Sequence, residues 1–390
     1  MKLSNYLFLL FMLVLLAGCN PKEVPEDLQE QLDSIAAAMV PQHAESLCDV
    51  VMVMEKDGSL TVEGETNLPE AKDEILAMLD RSGYNYNDNI TVLPDTSLVK
   101  SPWGLVSVSV CNVRTRPSHA AEMATQALMG TPVKILTKRG GWLMIQMPDS
   151  YIGWTDDPVS ELTDDELDEW KKSDRLIYME HTGVIADNSG QTVSDAVLGM
   201  IVQKTGEKGN SYMVKFPDGR EGQVKKTEVA DFRQWAESVE PDAGKMTEFA
   251  GLFLGSPYQW GGTSTKSVDC SGFVKTIYFS AGIILRRDAS AQYRYGLERS
   301  IENLCDSLAP GDLLFFGRVR DGKKRITHTG MYIGDTEFIH SSRLVRINSF
   351  DSTRTNYSQY HLDILQGAKR IIGVAPGEGM ERVSQHRWYF

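Results

Sequence analysis

The chain has 390 residues, which is long for one ordinary domain and predicts about two to four domains. Its composition, 42% apolar and 24% charged residues, is typical of a folded protein and excludes a disordered or low-complexity chain. The formal net charge of −13, without a cluster of Lys and Arg, argues against a nucleic-acid partner, because phosphate binding requires clustered positive charge.

The chain begins with a targeting segment. Lys2 supplies a positive charge, and the run Leu7–Leu16 is almost entirely apolar but short for crossing a bilayer. The following Leu-Ala-Gly-Cys sequence resembles a bacterial lipobox, which implies cleavage before Cys19 and lipid on that cysteine. Two or more acyl chains anchor a protein stably. We therefore expect residues 1–18 to be a lipoprotein signal peptide and the mature protein to be exported and membrane-anchored in the cell envelope. A plain secretory signal is the alternative.

The other four cysteines are widely scattered, without CxxC spacing: Cys48, Cys111, Cys270 and Cys305. Exported domains often carry disulfides, but this pattern predicts neither a disulfide framework nor a zinc ribbon. Cys48 and Cys111 lie in apolar, strand-like runs and are expected to be small core residues. A disulfide among Cys48, Cys111 and Cys305 stays open.

The first part of the mature chain predicts a tether and a small α/β unit. Residues 19–42 contain a tether followed by an amphipathic helix, because apolar residues recur at helical spacing from Leu28 to Met39. Residues 43–100 predict a hairpin, a helix that begins near Pro69 and ends before Gly83, and a returning strand. We assign this unit no function beyond a spacer or docking role.

An internal repeat follows. Residues Leu128–Thr155 align with Val197–Val224, and each copy has short alternating strands, a Pro-Asp turn and a Gly before the last strand. "NVRTRPS" ahead of the first copy resembles bacterial SH3-like barrels, which implies two tandem barrels. We place them at 101–160 and 175–240. A linker helix is expected at 161–174, because Thr163 to Glu166 form a capping box.

The last block, residues 241–390, contains a cysteine at the start of a predicted helix. Asp269 is the expected N-cap and Cys270 the first helical residue. A helix N-terminus offers free N–H groups and a partial positive charge, so we expect the pKa of Cys270 to fall below its usual value of about 8.5. The backbone N–H of Cys270 could also stabilise an oxyanion. An inert core thiol is the alternative.

Two histidines occur in the same block. His328 and His340 lie in strands that would form a hairpin about Gly334, and pairing across it would place both rings on one face. One imidazole could then act as base on Cys270 while the other orients it. Purely structural histidines are one alternative. A Cys/His/His zinc site is another, disfavoured because no fourth ligand is evident.

Together these motifs resemble the NlpC family of papain-like bacterial cell-wall cysteine peptidases. The stretches concerned are "PYQWGG", "DCSGF", "LAPGDLLFF", "HTGMYIG" and "FIHSS". With the SH3-like copies and "RRDASAQ", they resemble the γ-D-glutamyl-L-diamino acid endopeptidases, also called dipeptidyl-peptidase VI. The resemblance implies a multidomain protein: an α+β papain-like catalytic domain, two all-β SH3-like barrels and the small N-terminal α/β unit.

The resemblance also implies a role for each residue of the catalytic set. Cys270 would be the nucleophile, His328 the general base and His340 the residue that orients it. Tyr258, in the loop before the catalytic helix, would donate its hydroxyl to the oxyanion.

Further residues would bind the substrate. The pocket for the D-glutamyl residue would be lined by Asp269, Ser271, Trp260 and Ser290. From the first barrel, Glu122 and Tyr151 would read a free N-terminal amine. The alternative is that Glu122 is a solvated charge and Tyr151 a turn residue.

We therefore expect a cysteine endopeptidase that hydrolyses the γ-D-glutamyl–L-diamino acid bond of stem peptides with a free N-terminal L-Ala. A site that closes over an ammonium needs a carboxylate, and leaving that carboxylate unpaired costs several kcal/mol, so sugar-capped peptides would be rejected. We expect no cofactor and no metal. A non-catalytic peptidoglycan-binding lipoprotein and a related amidase or acyl-transfer chemistry are the alternatives. Lysine or diaminopimelate preference and the oligomeric state stay open.

Overall fold

The structure is a computed structural model that describes residues 23–40, 44–302 and 307–390. It divides into two compact units, Met1–Leu93 and Pro94–Phe390. The predictions for the signal peptide, Cys19 and Cys305 fall outside the described residues. Within the described residues, no helix combines the length and apolar character needed to cross a membrane.

The first unit is a three-stranded sheet with two helices. In chain order its elements are α1 (Glu26–Met39), β1 (Cys48–Met54), β2 (Leu60–Thr66), α2 (Pro69–Ser82) and β3 (Tyr86–Val92). The order is β1-β2-β3, antiparallel between β1 and β2 and parallel between β2 and β3. Apolar residues of both helices and all three strands form its core.

Local sequence explains the limits of α2. Pro69 stands at its first turn, where a missing N–H costs nothing, and Gly83 ends it with a φ of 76°.

Two cysteines outside the catalytic block have free thiols. Cys48 is half-buried in the first unit, and Cys111 is buried in the second unit.

The second unit begins with two seven-stranded antiparallel sheets. The first contains β4 (Trp103–Val106), β5 (Val110–Arg114), β6 (Met123–Leu128), β7 (Pro132–Arg139), β8 (Trp142–Gln146), β9 (Ile152–Thr155) and β10 (Val159–Leu162). After α3 (Asp164–Lys172), the second contains β11 (Arg175–Tyr178), β12 (Thr182–Ala186), β13 (Thr192–Val197), β14 (Ile201–Lys208), β15 (Ser211–Lys215), β16 (Glu221–Lys225) and β17 (Val229–Asp231).

The two sheets have the same topology. The first has the order β10-β4-β7-β8-β9-β5-β6, and the second, written from its other edge, has the order β17-β11-β14-β15-β16-β12-β13. Each strand of the second sheet therefore corresponds to the strand seven places earlier, as the sequence repeat predicts. The helix between them is capped as predicted, because Thr163 and Glu166 make both hydrogen bonds of the capping box.

The rest of the second unit is an α+β fold. Its helices are α4 (Phe232–Ser238), α5 (Ala243–Gly251), α6 (Cys270–Ser280), α7 (Ala289–Gln292) and α8 (Gln359–Asp363). Its strands are β18 (Thr263–Ser264), β19 (Ser267–Val268), β20 (Ile283–Leu285), β21 (Leu297–Arg299), β22 (Leu313–Arg320), β23 (Lys323–Gly334), β24 (Glu337–Ser342), β25 (Leu344–Ser349), β26 (Leu365–Arg370) and β27 (Met380–Arg382).

The helix α6 packs on a six-stranded sheet of order β21-β26-β22-β23-β24-β25. Phe273 and Ile277, one turn apart, are fully buried in the same cluster as Phe315 and Met331 of the sheet. This packing places α6 against strands β23 and β24.

The turn between β23 and β24 lies after Gly334, whereas the sequence predicted a turn centred on Gly334. It is formed by Asp335 and Thr336, both with positive φ, and Gly334 pairs with Glu337 as the last pair before it. Positive φ at both central positions is the geometry of a two-residue hairpin turn.

Candidate active site

Cys270 is the first residue of α6, as predicted. The Asp269 side chain caps the helix by accepting the Gly272 N–H at 2.7 Å. Cys270 keeps 8% of its surface exposed to solvent. A Cβ at Gly272 would lie 1.9 Å from the carbonyl oxygen of Gly262, so the glycine lets the preceding loop pack against the helix start.

The expected fall in the pKa of Cys270 is wrong. Burial, followed by the Asp269 carboxylate, raises the pKa of this thiol to about 11. The backbone N–H groups of Thr329 and Ser271 and the charge of Arg287 oppose that shift and do not overcome it. The resting thiol is therefore protonated at neutral pH and needs a base to become a nucleophile.

A chain of hydrogen bonds leads away from His328. Its Nε2 lies 2.7 Å from Nδ1 of His340, and Nε2 of His340 lies 2.9 Å from Oδ1 of Asn348. The amide nitrogen of Asn348 donates to the carbonyl of Asn356, which turns Oδ1 towards His340. The protons then sit on Nε2 of both rings, which leaves Nδ1 of His328 as the acceptor.

His328 is in the charge state that a base requires. Burial, with the neighbouring His340 and His361, holds its pKa well below the usual range. Burial likewise lowers the pKa of His340 to about 3. Both rings are neutral at pH 7, so His328 can accept a proton from Cys270.

The two histidines do not lie directly opposite each other, contrary to the prediction. Met331 pairs with Ile339, which places His340 beside Gly330, and His328 pairs with Phe316 of β22 on its other side. The rings share one face, as predicted, and meet diagonally. Asn348, which completes the chain, was not found from the sequence, since an isolated Asn in a strand carries no motif.

Tyr258 lies in the loop ahead of α6. Its N–H donates to the carbonyl of Arg343 at 2.8 Å, and it bridges to Val268, two residues before Cys270. Burial, then the charges at Cys270 and Asp269, raise the pKa of its hydroxyl above the usual range. The phenol stays protonated and can donate a hydrogen bond near the thiol.

Asp269 and Ser271 are held by a buried arginine. Arg287, 2% exposed, donates to both carboxylate oxygens of Asp269 and to Oγ of Ser271, the last at 2.9 Å. Asp269 also accepts the Gly261 N–H at 3.0 Å. Arg287 belongs to the quoted "RRDASAQ" stretch, but no sequence pattern indicated that it would organise the start of α6.

The first barrel packs against the loop that contains Gly261 and Thr263 and leads to Cys270. On β6, Gln126 accepts the Thr263 N–H through Oε1 at 3.0 Å. A Cβ at Gly261 would lie 2.5 Å from the carbonyl oxygen of Met123, and the φ of Gly261 is 80°. Glu122, which is exposed, immediately precedes Met123, so this contact places it beside the loop that leads to Cys270.

Tyr151 faces the same region. Burial raises its pKa above the usual range, and the charges acting on it include Asp288, Arg287 and Glu122. The structure therefore brings Tyr151 within electrostatic range of both Arg287 and Glu122. Trp260 (58% exposed) precedes Gly261, and Ser290 is exposed on α7, so both are accessible.

A third histidine, His361 of α8, lies against the pair. Its ring centroid is 4.6 Å from that of His340 and 5.8 Å from that of His328. Its Nδ1 lies 2.7 Å from Oγ of Ser358. No sequence signal pointed to His361.

The fold and this geometry define a hydrolase of the papain-like class: a cysteine at the start of a helix, packed against a sheet whose strands carry the histidine pair. Residues 255–366 match the NlpC/P60 family, and residues 113–157 match the bacterial dipeptidyl-peptidase Sh3 domain.

Similar proteins agree with this class. A gamma-D-glutamyl-L-lysine dipeptidyl-peptidase of Bacillus cereus is 31% identical over 266 residues, covering 65% of this chain and 77% of the relative. A Bacillus subtilis protein of the same name is 26% identical over 234 residues, covering 56% and 72%. The crystal structure of an NlpC/P60 family protein from Bacillus cereus superposes with a TM-score of 0.60 at 25% identity, covering 69% of this chain and 99% of that one.

The chain therefore belongs to the NlpC/P60 family. It is a cysteine peptidase, and its relatives support a hydrolase of peptidoglycan peptides.

Proposed function

We propose that the protein is an endopeptidase that cleaves the γ-D-glutamyl–L-diamino acid bond of short stem peptides with a free N-terminal L-Ala, in the turnover or recycling of murein peptides. The observation that carries this proposal is the packing of the first barrel on the loop before Cys270. That packing sets Met123, the neighbour of Glu122, against Gly261, and Tyr151 lies within electrostatic range of Glu122, which supports a role for both residues in binding the substrate. The names of the relatives point to the same bond.

The reaction begins with proton transfer. Nδ1 of His328 accepts the thiol proton of Cys270 as the sulfur attacks the γ-carbonyl carbon of the D-glutamyl residue. The carbonyl electrons move onto oxygen, where the Tyr258 hydroxyl and the backbone N–H of Cys270 stabilise the negative charge. His340 and Asn348 hold the His328 ring in the required tautomer and orientation.

The intermediate then collapses. The C–N bond breaks, and the amine of the diamino acid leaves with the proton from His328, which leaves a thioester on Cys270. A water molecule, deprotonated by His328, attacks the thioester. Release of L-Ala-γ-D-Glu restores the thiol.

A free N-terminus is the feature that the first barrel would read. The Glu122 carboxylate can pair with the α-ammonium, and the Tyr151 hydroxyl can accept a hydrogen bond from it. An acetylated or sugar-linked alanine would leave that carboxylate without its ion pair, at a cost in binding.

The test uses L-Ala-γ-D-Glu-L-Lys, its meso-diaminopimelate analogue and the N-acetylated form of each. We expect release of L-Ala-γ-D-Glu from the free peptides only, and no release with Cys270→Ala. Glu122→Gln should raise KM for the free peptides, and the acetylated peptides should stay uncleaved by this variant as well. Binding to insoluble peptidoglycan without cleavage of any of these peptides would contradict the proposal.

We also propose that the protein is an envelope lipoprotein anchored through Cys19. The lipobox-like sequence before Cys19 supports this. Labelling of wild-type cells with a palmitate analogue, and loss of the label in Cys19→Ser, is the expected result. Equal labelling of the two would contradict it.

A further inference from the structure

Three imidazoles meet beside the nucleophile. His328, His340 and His361 each offer a ligand nitrogen, and these atoms lie within 4.8 Å of one another. We propose that these three side chains bind a divalent transition metal ion of the Zn²⁺ type, and that the bound ion switches the peptidase off. The binding site stands on this geometry alone, whereas the switch rests on the proposed function.

The arrangement is close to that of a three-histidine metal site. In a tetrahedral zinc site each nitrogen lies roughly 2.0–2.1 Å from the ion, which separates the nitrogens by roughly 3.4 Å. Here His328 and His340 are 2.7 Å apart at their nearest nitrogens, and the His361 ring lies at 84° to the His340 ring and at 41° to the His328 ring. Shifts of side chains on the order of 1 Å would bring all three nitrogens to the ion.

The surroundings hold the rings while leaving His361 able to adjust. Phe316 and Phe338 lie with their ring centroids 5.3 and 5.5 Å from that of His361. His361 is half-buried on the five-residue helix α8, and its Nδ1 lies 2.7 Å from Oγ of Ser358, the N-cap residue of that helix. Imidazole nitrogens suit zinc, copper and nickel, whereas magnesium and calcium prefer oxygen ligands.

The charge around the site selects the fourth ligand. Arg346 pairs with His340 in the sheet register and opposes a bare cation there. An anionic ligand from solvent, such as hydroxide or chloride, would offset this repulsion in the fourth position. Coordination would use Nε2 of His328 and Nδ1 of His340, which lie 2.7 Å apart, and would release the Nε2 proton of His328 to solvent. The bound cation would replace the hydrogen bond that orients His328 and would disfavour a further positive charge on its ring, so His328 could no longer act as the base for Cys270.

Metal binding can be measured without turnover. Titration calorimetry of the reduced mature chain with ZnCl₂ should show one ion per protein. His361→Gln should weaken binding by more than about 100-fold, because losing a ligand exceeds the loss expected from a neighbour of a ligand. His119→Gln, which removes an exposed imidazole, is the matched control and should bind like the wild type. His361→Cys retains a ligand and should retain binding, which separates ligand loss from misfolding.

Two further measurements, a Co²⁺ absorption spectrum and Zn²⁺ inhibition of the peptidase, complete the test. Co²⁺ should give the visible absorption of a histidine-ligated ion in the wild type and equally in Cys270→Ala, and this absorption should be lost in His361→Gln. Zn²⁺ should inhibit peptide hydrolysis by the wild type, reversibly with EDTA, and should not inhibit His361→Gln at the same concentration. Equal Zn²⁺ affinity in the wild type and His361→Gln would overturn the metal site. Binding without inhibition would overturn the switch alone, and absent hydrolysis without metal would count against the proposed function instead.

Discussion

His340 and Gly330 lie side by side on β24 and β23, so closely that a Cβ at Gly330 would be 2.9 Å from Cβ of His340. The same Cβ would be 3.0 Å from the carbonyl oxygen of Ile339. The missing side chain leaves the space through which His328 reaches His340 diagonally, at 2.7 Å. Gly330, the first glycine in "HTGMYIG", is therefore part of the catalytic geometry.

Gly330→Ala should reduce kcat by at least about tenfold, because the new methyl group displaces His340 and loosens the orientation of His328. KM should change little. Steady-state kinetics with the tripeptide substrate measure both. Gly251→Ala is the control, since among the described residues no atom lies within 4 Å of its Cβ position. If Gly330→Ala retains full kcat, His340 does not need this space.

Asn348→Ala should also lower kcat. Its Oδ1 accepts from Nε2 of His340, and losing that bond frees His340 to adopt the other tautomer. By analogy with residues that support metal ligands, we expect a loss of about 10- to 100-fold. Asn348→Asp, which keeps an acceptor, should restore part of the rate. Asn89→Ala, an exposed change in the first unit, should leave kcat unaltered; a similar loss there would point to an unspecific cause.

The sequence predicts the repeat, the order of the catalytic residues and their elements because these depend on local pattern. Each strand of the second seven-stranded sheet corresponds to the strand seven places earlier because the two sheets are copies of one motif. Cys270 begins a helix because Asp269 caps it. Positions that depend on distant contacts were not predictable. The pKa of Cys270 is raised chiefly by burial, which depends on tertiary packing, and His361 lies beside His340 through tertiary packing as well.

The pair Asp269–Arg287 gives a prediction about stability. Both side chains are buried, and Arg287→Met would leave the carboxylate without its partner. Removing one partner of a buried ion pair costs about 3–5 kcal/mol, so the midpoint of urea unfolding should fall clearly. The double variant Asp269→Asn/Arg287→Met should lose less than the sum of the single changes. Arg318→Met, at an exposed position, should be nearly neutral. Additive losses would contradict this coupling.

The pH dependence of Cys270 alkylation follows from its raised pKa. Iodoacetamide reacts with the thiolate, and a pKa of about 11 means that the thiolate fraction rises roughly tenfold per pH unit through the neutral and alkaline range. The alkylation rate of Cys270 should therefore keep rising from pH 7 to pH 10. Peptide mass spectrometry follows this site, and Cys270→Ala gives the background from the other thiols.

The same experiment distinguishes two resting states. If the free protein held a thiolate beside a protonated His328, the rate would already be level below pH 7. The structure favours the neutral pair, because burial raises the pKa of the thiol and lowers the pKa of the imidazole. Proton transfer would then accompany substrate attack, so replacing His328 by Gln should remove most of the peptidase activity while leaving the slope of the alkylation profile unchanged. A plateau near neutral pH in the wild type that disappears in His328→Gln would contradict the neutral pair.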